Sequence, residues 1–173
     1  MRGIESFLSE ESISLHKEYC RTLKAKYAIL EKSFPCIEGK DVKTISKMKI
    51  DRASKNEILK LKAEVACHDV FFDSFGGRYQ DSEIIRAQYG AIPTFFNTLS
   101  EIAMGVPHGF LIINERREEF GIYCGNDYVN VIANAKPYLA IDLCEHAYFM
   151  DYSFDKRSYI LNALSVLDLN KLR

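Results

Sequence analysis

Asp142-Leu143-Cys144-Glu145-His146-Ala147-Tyr148 is the stretch on which the reading of this chain turns. It follows the short apolar run Tyr138-Leu139-Ala140-Ile141, which has the length and composition of a buried strand. An aspartate leaving that strand and a histidine one helical turn later can aim an oxygen and a nitrogen at one centre. That is half of a metal site. The other half has few sources, because the chain has only four histidines. Two of them, His16 and His68, fall inside helical patterns.

Working outward, apolar residues Ile13, Leu15, Tyr19, Leu23, Tyr27 and Leu30 recur between Ser9 and Lys32 as one face of an amphipathic helix. Ser9 is placed to cap it, although Ser12 stands where a full capping box would have Glu or Gln. Pro35 and Gly39 interrupt the chain, and a second helical pattern runs from Asn56 to Asp73 with Leu59, Leu61, Val65, Val70 and Phe71 apolar. Two such helices predict a hairpin. Past Gly76-Gly77 the pattern shortens. Helices are predicted at Ser82–Tyr89 and Pro93–Met104. Strands are predicted at Phe110–Ile113 and Phe120–Tyr123, around a polar turn from Asn114 to Glu119, and again at Tyr138–Ile141. A final helix is expected from Lys156 to Leu167. The expected fold class is α+β: an N-terminal helical hairpin domain (1–78), then a mixed domain (79–173) with a small three-stranded antiparallel sheet flanked by helices. No repeat or low-complexity tract interrupts it.

Composition narrows the function classes. The 173 residues are 47% hydrophobic and 27% charged, enough to bury a core, and the net charge of −1 with scattered Lys and Arg argues against nucleic acid as a partner. No run reaches the length of a membrane span, and the N-terminus has no signal-peptide pattern. Five cysteines, an odd number without CxxC spacing, argue against a disulfide framework or a zinc ribbon. A reduced, cytoplasmic protein is expected.

His16, His68, Asp142 and His146 together make a mixed nitrogen and oxygen donor set that suits iron or manganese and can accept zinc. The residues around them carry a resemblance. Asp142 to Tyr152, with its Glu145-His146-Ala147-Tyr148, closely resembles the C-terminal metal-binding signature of iron/manganese superoxide dismutases. Leu8 to Ile13 with His16 is similar to that family's first helix, and Ala63 to His68 followed by Phe71-Phe72 to its second. Tyr89-Gly90, Phe95-Phe96 and Met104-Gly105 fall in family order, so the resemblance runs from about residue 8 to residue 170.

The resemblance implies a superoxide dismutase with one iron or manganese ion per subunit, held by His16, His68, Asp142 and His146 with solvent as a fifth ligand. It also implies a homodimer in which Glu145 reaches the partner subunit's His146. Iron-type members place a glutamine four residues before the second ligand histidine. Here that position is Glu64, expected to act on the solvent beside the metal. The manganese-type glutamine position falls near Asp127. The channel histidine and tyrosine fall on Cys20 and Lys24, with Lys24 a candidate for guiding the anionic substrate, and the tyrosine that pairs across the dimer falls on Phe149. Tryptophans that line the family's site are absent, with His108 and Cys144 in two of their places. The proline-rich leader usual before the first helix is not matched. These departures leave open an alternative, a non-enzymatic metal-binding protein that kept fold and ligands, and beyond it a non-haem iron or zinc enzyme acting on another small molecule.

Overall fold

A computed structural model describes residues 3–77, 82–116 and 119–172. The chain opens with a long helix, α1 (Glu10–Ser33), capped by Ser9, whose side chain accepts the Ser12 N–H as expected. Glu10 and Glu11 in the first turn complement the helix dipole. The buried stripe of α1 is Ser12, His16, Cys20, Leu23 and Tyr27, so His16 sits on the core-facing side rather than among the exposed charges.

A short helix, α2 (Val42–Ser46), lies between the two long ones and was not signalled by periodicity, because five residues are too few to show a period. The second long helix, α3 (Arg52–Asp73), starts four residues earlier than expected. Asp51 accepts the Ser54 N–H there, and a polar first turn hides such a start from any reading of apolar spacing. Residues early in α1 meet residues late in α3: His16 faces His68, Tyr19 bonds Glu64, and Tyr27 bonds Lys62. This is the expected antiparallel hairpin.

The rest of the chain builds a sheet and its cover. Helices α4 (Glu83–Tyr89) and α5 (Ile92–Met104) follow, α4 being stopped by Gly90 at φ +76°. Strands β1 (Phe110–Arg116) and β2 (Glu119–Gly125) pair antiparallel, α6 (Val129–Asn134) intervenes, and β3 (Lys136–Asp142) pairs antiparallel with the other side of β1. The order is β2-β1-β3. The first two strands reach further than expected, taking in Asn114 to Arg116 and Glu119, because ladder pairing carries polar residues along with apolar ones. The expected turn over Asn114–Glu119 is therefore shorter, and its residues 117–118 lie outside those described. Helices α7 (Glu145–Tyr152) and α8 (Lys156–Ser165) close the fold, α8 ending two residues short of Leu167.

Three details hold the elements of the candidate ligands in place. Phe110 at the start of β1 pairs with Asp142 at the end of β3, so the aspartate leaves the sheet beside the central strand. Gly109, at φ +114°, admits no side chain, since a Cβ there would run into the Gly125 carbonyl. Its own carbonyl takes the Leu143 N–H at 2.8 Å. Ser74, fully buried just past α3, donates to the Val70 carbonyl at 2.6 Å and accepts the Ala140 N–H of β3 at 2.8 Å. It ties the helix of His68 to the strand of Asp142. One hydrophobic core runs through both halves of the chain, with Ile58, Phe71, Phe95, Leu111, Ile141 and Tyr159 among its fully buried members.

Candidate metal centre

His16 and His68 come from the facing helices α1 and α3, and Asp142 and His146 from the end of β3 and the first turn of α7. The structure brings all four together: one donor atom of each lies within 4.8 Å of every other. The Asp142 carboxylate is the hub. Its Oδ2 is 3.2 Å from His16 Nε2, 3.3 Å from His68 Nε2 and 2.9 Å from His146 Nε2.

These close approaches are not hydrogen bonds in the ordinary sense. His16 Nε2, His68 Nε2 and Asp142 Oδ2 are all buried, and none has a partner with hydrogen-bond geometry among the described residues. Four polar atoms that converge, with three of them buried and unsatisfied, are costly unless something between them accepts their lone pairs. A cation does so, and neutral imidazole nitrogen with carboxylate oxygen is the donor chemistry of a transition metal. The residues fit the group.

The surroundings fix the donors' directions. The Cys144 N–H binds Asp142 Oδ1 at 2.9 Å, which leaves Oδ2 to face the histidines. His68 Nδ1 is 2.8 Å from the Glu64 carbonyl, which presents Nε2 to the centre. Aromatic rings exclude water on the inner sides: Phe71 and Phe72 lie 4.9 and 5.0 Å from the His16 ring, and Phe110 lies edge-on to His68 at 5.1 Å. The outer side is open. The His146 side chain is 32% exposed and lines a cavity of about 380 Å³ with Leu15, Tyr19, Glu145, Phe149 and Met150.

Charge follows from this packing. Complete burial by itself raises the Asp142 pKa, but the close approach and charge of His146, His16 and His68 outweigh it and hold the carboxyl well below its ordinary value. Burial lowers the His16 pKa, and Asp142 only partly offsets it. At His68 the same burial is overcome by Asp142 and the Glu64 carbonyl, so its pKa rises. The two rings differ at Nδ1, which has an acceptor in His68 and, among the described residues, none in His16.

The other expected site residues fall around this centre in different ways. Glu64 stands on the same face of α3 as His68, but its carboxylate is not among the converging donor atoms. It accepts the Tyr19 hydroxyl at 2.8 Å. Lys24 is on the surface, with its ammonium 2.7 Å from Asp69 and both side chains more than half exposed. Cys20 is buried, and burial followed by the nearby Asp142 charge pushes its thiol up to about 12. His108 is exposed and pairs with Asn126 at 3.1 Å. Asp127 lines a separate groove between β2 and α6. Phe149 is exposed beside the outer cavity.

Tyr19 is the residue that sequence reasoning missed. Its ring packs 4.3 Å from His146 and 5.5 Å from His68. Burial, then the Glu64 carboxylate, pushes its phenol pKa up, so the hydroxyl stays a donor. The signal was available, since Tyr19 is three residues from His16 and shares its helix face.

An α+β fold with three imidazoles and one carboxylate converging under aromatic cover has the donor set of a metal-binding protein of mixed nitrogen and oxygen chemistry. The family described as iron/manganese superoxide dismutases, C-terminal domain, matches residues 77–173, more than half of the chain. The chain belongs to the iron/manganese superoxide dismutases. It is similar to the superoxide dismutase [Mn/Fe] of Aeropyrum pernix, with 28% identity over 96% of this chain and 81% of that protein. It is also similar to the superoxide dismutase [Fe] of Cupriavidus metallidurans, with 27% identity over 61% of this chain and 58% of that protein.

Proposed function

We propose that the protein is an iron-type superoxide dismutase that converts two superoxide anions and two protons into oxygen and hydrogen peroxide, with His16, His68, Asp142 and His146 as its metal ligands. The observation that carries this reading is the convergence of four donor atoms, three of them buried and otherwise unsatisfied. When bound, the metal supplies a one-electron couple that takes an electron from one superoxide and returns it to a second.

The chain's own residues do the rest. Asp142 contributes the single anionic donor, oriented by the Cys144 N–H. His68 is oriented by the Glu64 carbonyl. The rings of Phe71 and Phe72 pack on His16 and that of Phe110 on His68, and the water they exclude there strengthens the electrostatic interactions inside. The cavity beside His146, of about 380 Å³, is the route for a small anion. Iron is favoured over manganese because the iron-type position on α3, four residues before His68, carries the long polar residue Glu64, whereas Asp127 after β2 lies in a separate groove.

A homodimer is part of this reading. Leu15, Phe149, Met150 and Phe154 expose apolar surface around Glu145 and His146, and Phe154 is 88% exposed. A second copy covering that patch would bring Glu145 toward the partner subunit's His146 and narrow the open side of the site.

The test is superoxide consumption by the purified protein, normalised to iron and manganese measured on the same sample. Rapid dismutation that scales with iron supports the proposal. Full metal occupancy without dismutation overturns it in favour of a metal-binding protein that kept the fold and ligands. Scaling with manganese alone overturns the metal assignment.

A further inference from the structure

Glu64 raises a problem that the metal centre alone does not answer. It lies one helical turn before His68, and its backbone carbonyl already serves that ligand. A carboxylate on the same face, beside a centre built for iron or manganese, is a natural additional ligand, because hard anionic oxygen binds both metals. Yet its oxygens stand outside the set of donors that converge within 4.8 Å. Something holds them off.

Tyr19 is the group in position to do so. Its hydroxyl reaches Glu64 Oε1 at 2.8 Å, across from α1 to α3. The tyrosine is itself clamped, with its ring tilted 36° at 4.3 Å from His146 and 56° at 5.5 Å from His68. The hydrogen bond therefore connects a restrained donor to a side chain that would otherwise be free to rotate. The two residues also face different cavities. Tyr19 lines the cavity of His146, while Glu64 lines a groove of about 360 Å³ between α1 and α3 with Lys26, Lys60 and Glu57.

Resting on the metal-centre reading above, we infer that Tyr19 is a positioning residue whose hydroxyl keeps Glu64 out of the coordination sphere. It thereby sets the protein ligands at three imidazoles and one carboxylate. Without the hydroxyl, Glu64 becomes a second carboxylate ligand. The added negative charge favours the trivalent metal and shifts the centre's potential downward.

Cobalt(II) is the probe, because its visible absorption weakens as coordination number rises. The full-length chain is titrated with cobalt(II) as wild type, Glu64→Gln, Tyr19→Phe and the Tyr19→Phe/Glu64→Gln double variant. Wild type and Glu64→Gln are expected to share one spectrum. Tyr19→Phe is expected to show weaker absorption and to hold cobalt more tightly through the added anionic ligand, and the double variant to return to the wild-type spectrum. A Tyr19→Phe spectrum identical to wild type overturns the inference. So does a change that persists in the double variant, since the carboxylate would not be its cause, or a Glu64→Gln spectrum unlike wild type, since Glu64 would already be a ligand. Failure of the metal-centre reading looks different: wild type itself takes up no cobalt, or takes it up unchanged in His16→Ala.

Discussion

Tyr159, completely buried in α8, donates its hydroxyl to the backbone carbonyl of Asp142 at 2.8 Å. The residue that carries the hub carboxylate is thus held at three points: by ladder pairing to Phe110, by Tyr159 on its carbonyl, and by the Cys144 N–H on Oδ1. Tyr159→Phe removes one of them and leaves a buried carbonyl short of a partner. We expect a loss of about 1–2 kcal/mol in urea unfolding, with weaker iron retention against a chelator. Unchanged stability would show that the bond carries no net energy.

Ser74 makes a second such connection, between α3 and β3. Ser74→Ala strips the Ala140 N–H of its acceptor in a fully buried place, so we expect a cost of about 1–3 kcal/mol. Because the bond joins the elements of His68 and Asp142, metal affinity should fall with it. A stability loss without any change in iron binding would mean that the two elements are aligned by the core alone.

Metal should stabilise the fold strongly, since the ligands come from α1, α3, β3 and α7 and only the folded chain assembles them. At a free metal concentration about a thousandfold above the dissociation constant the gain is about 4 kcal/mol, or roughly 10 °C in melting temperature for a chain of this size. His68→Ala should abolish both the shift and iron occupancy. Differential scanning calorimetry with and without iron reads the first, and metal analysis the second.

Acid should loosen the joint between α1 and α7. Partial burial works against the Asp151 charge, but the Ser9 N–H at 2.8 Å and the serine hydroxyls outweigh it and hold the carboxyl below its ordinary 3.8. A depressed folded pKa means that the contribution is full above the ordinary value and is lost as pH falls through the lower folded one. Asp151→Asn should therefore destabilise the protein at about pH 6 more than at about pH 3, which is already below the ordinary carboxyl value. Urea midpoints at the two pH values decide it, and equal effects at both would remove the charge from the explanation.

The patch around His146 predicts the assembly. Glu145→Ala and Phe154→Ser should each shift sedimentation equilibrium toward the monomer. A wild-type chain that sediments as a monomer at tens of micromolar, roughly the range of weak assemblies, would end the dimer proposal.

Much was determined by the sequence itself. Both long helices follow from apolar residues recurring at helical spacing. The Ser9 cap follows from a polar residue just before the stripe, and the three strands from short apolar runs between turns. These are local properties: spacing and capping act within a few residues. The four candidate ligands were also legible, because Asp142 and His146 lie one turn apart and the chain has few other histidines to join them. Periodicity could not find α2 or α6, five and six residues long, nor the polar first turn of α3.

What only the tertiary structure decided is which side chains meet across elements. Glu64 reads in sequence as a group aimed at the metal, and Lys24 as a cation at its mouth. Folding gives Glu64 to Tyr19, 45 residues away, and Lys24 to Asp69. No local pattern encodes those partners, since a side chain's direction is set by whichever donor or charge the packed helices bring within about 3 Å. The same packing leaves Asp142 Oδ2 and two imidazole nitrogens buried together without hydrogen bonds, and so makes of four separate residues one site.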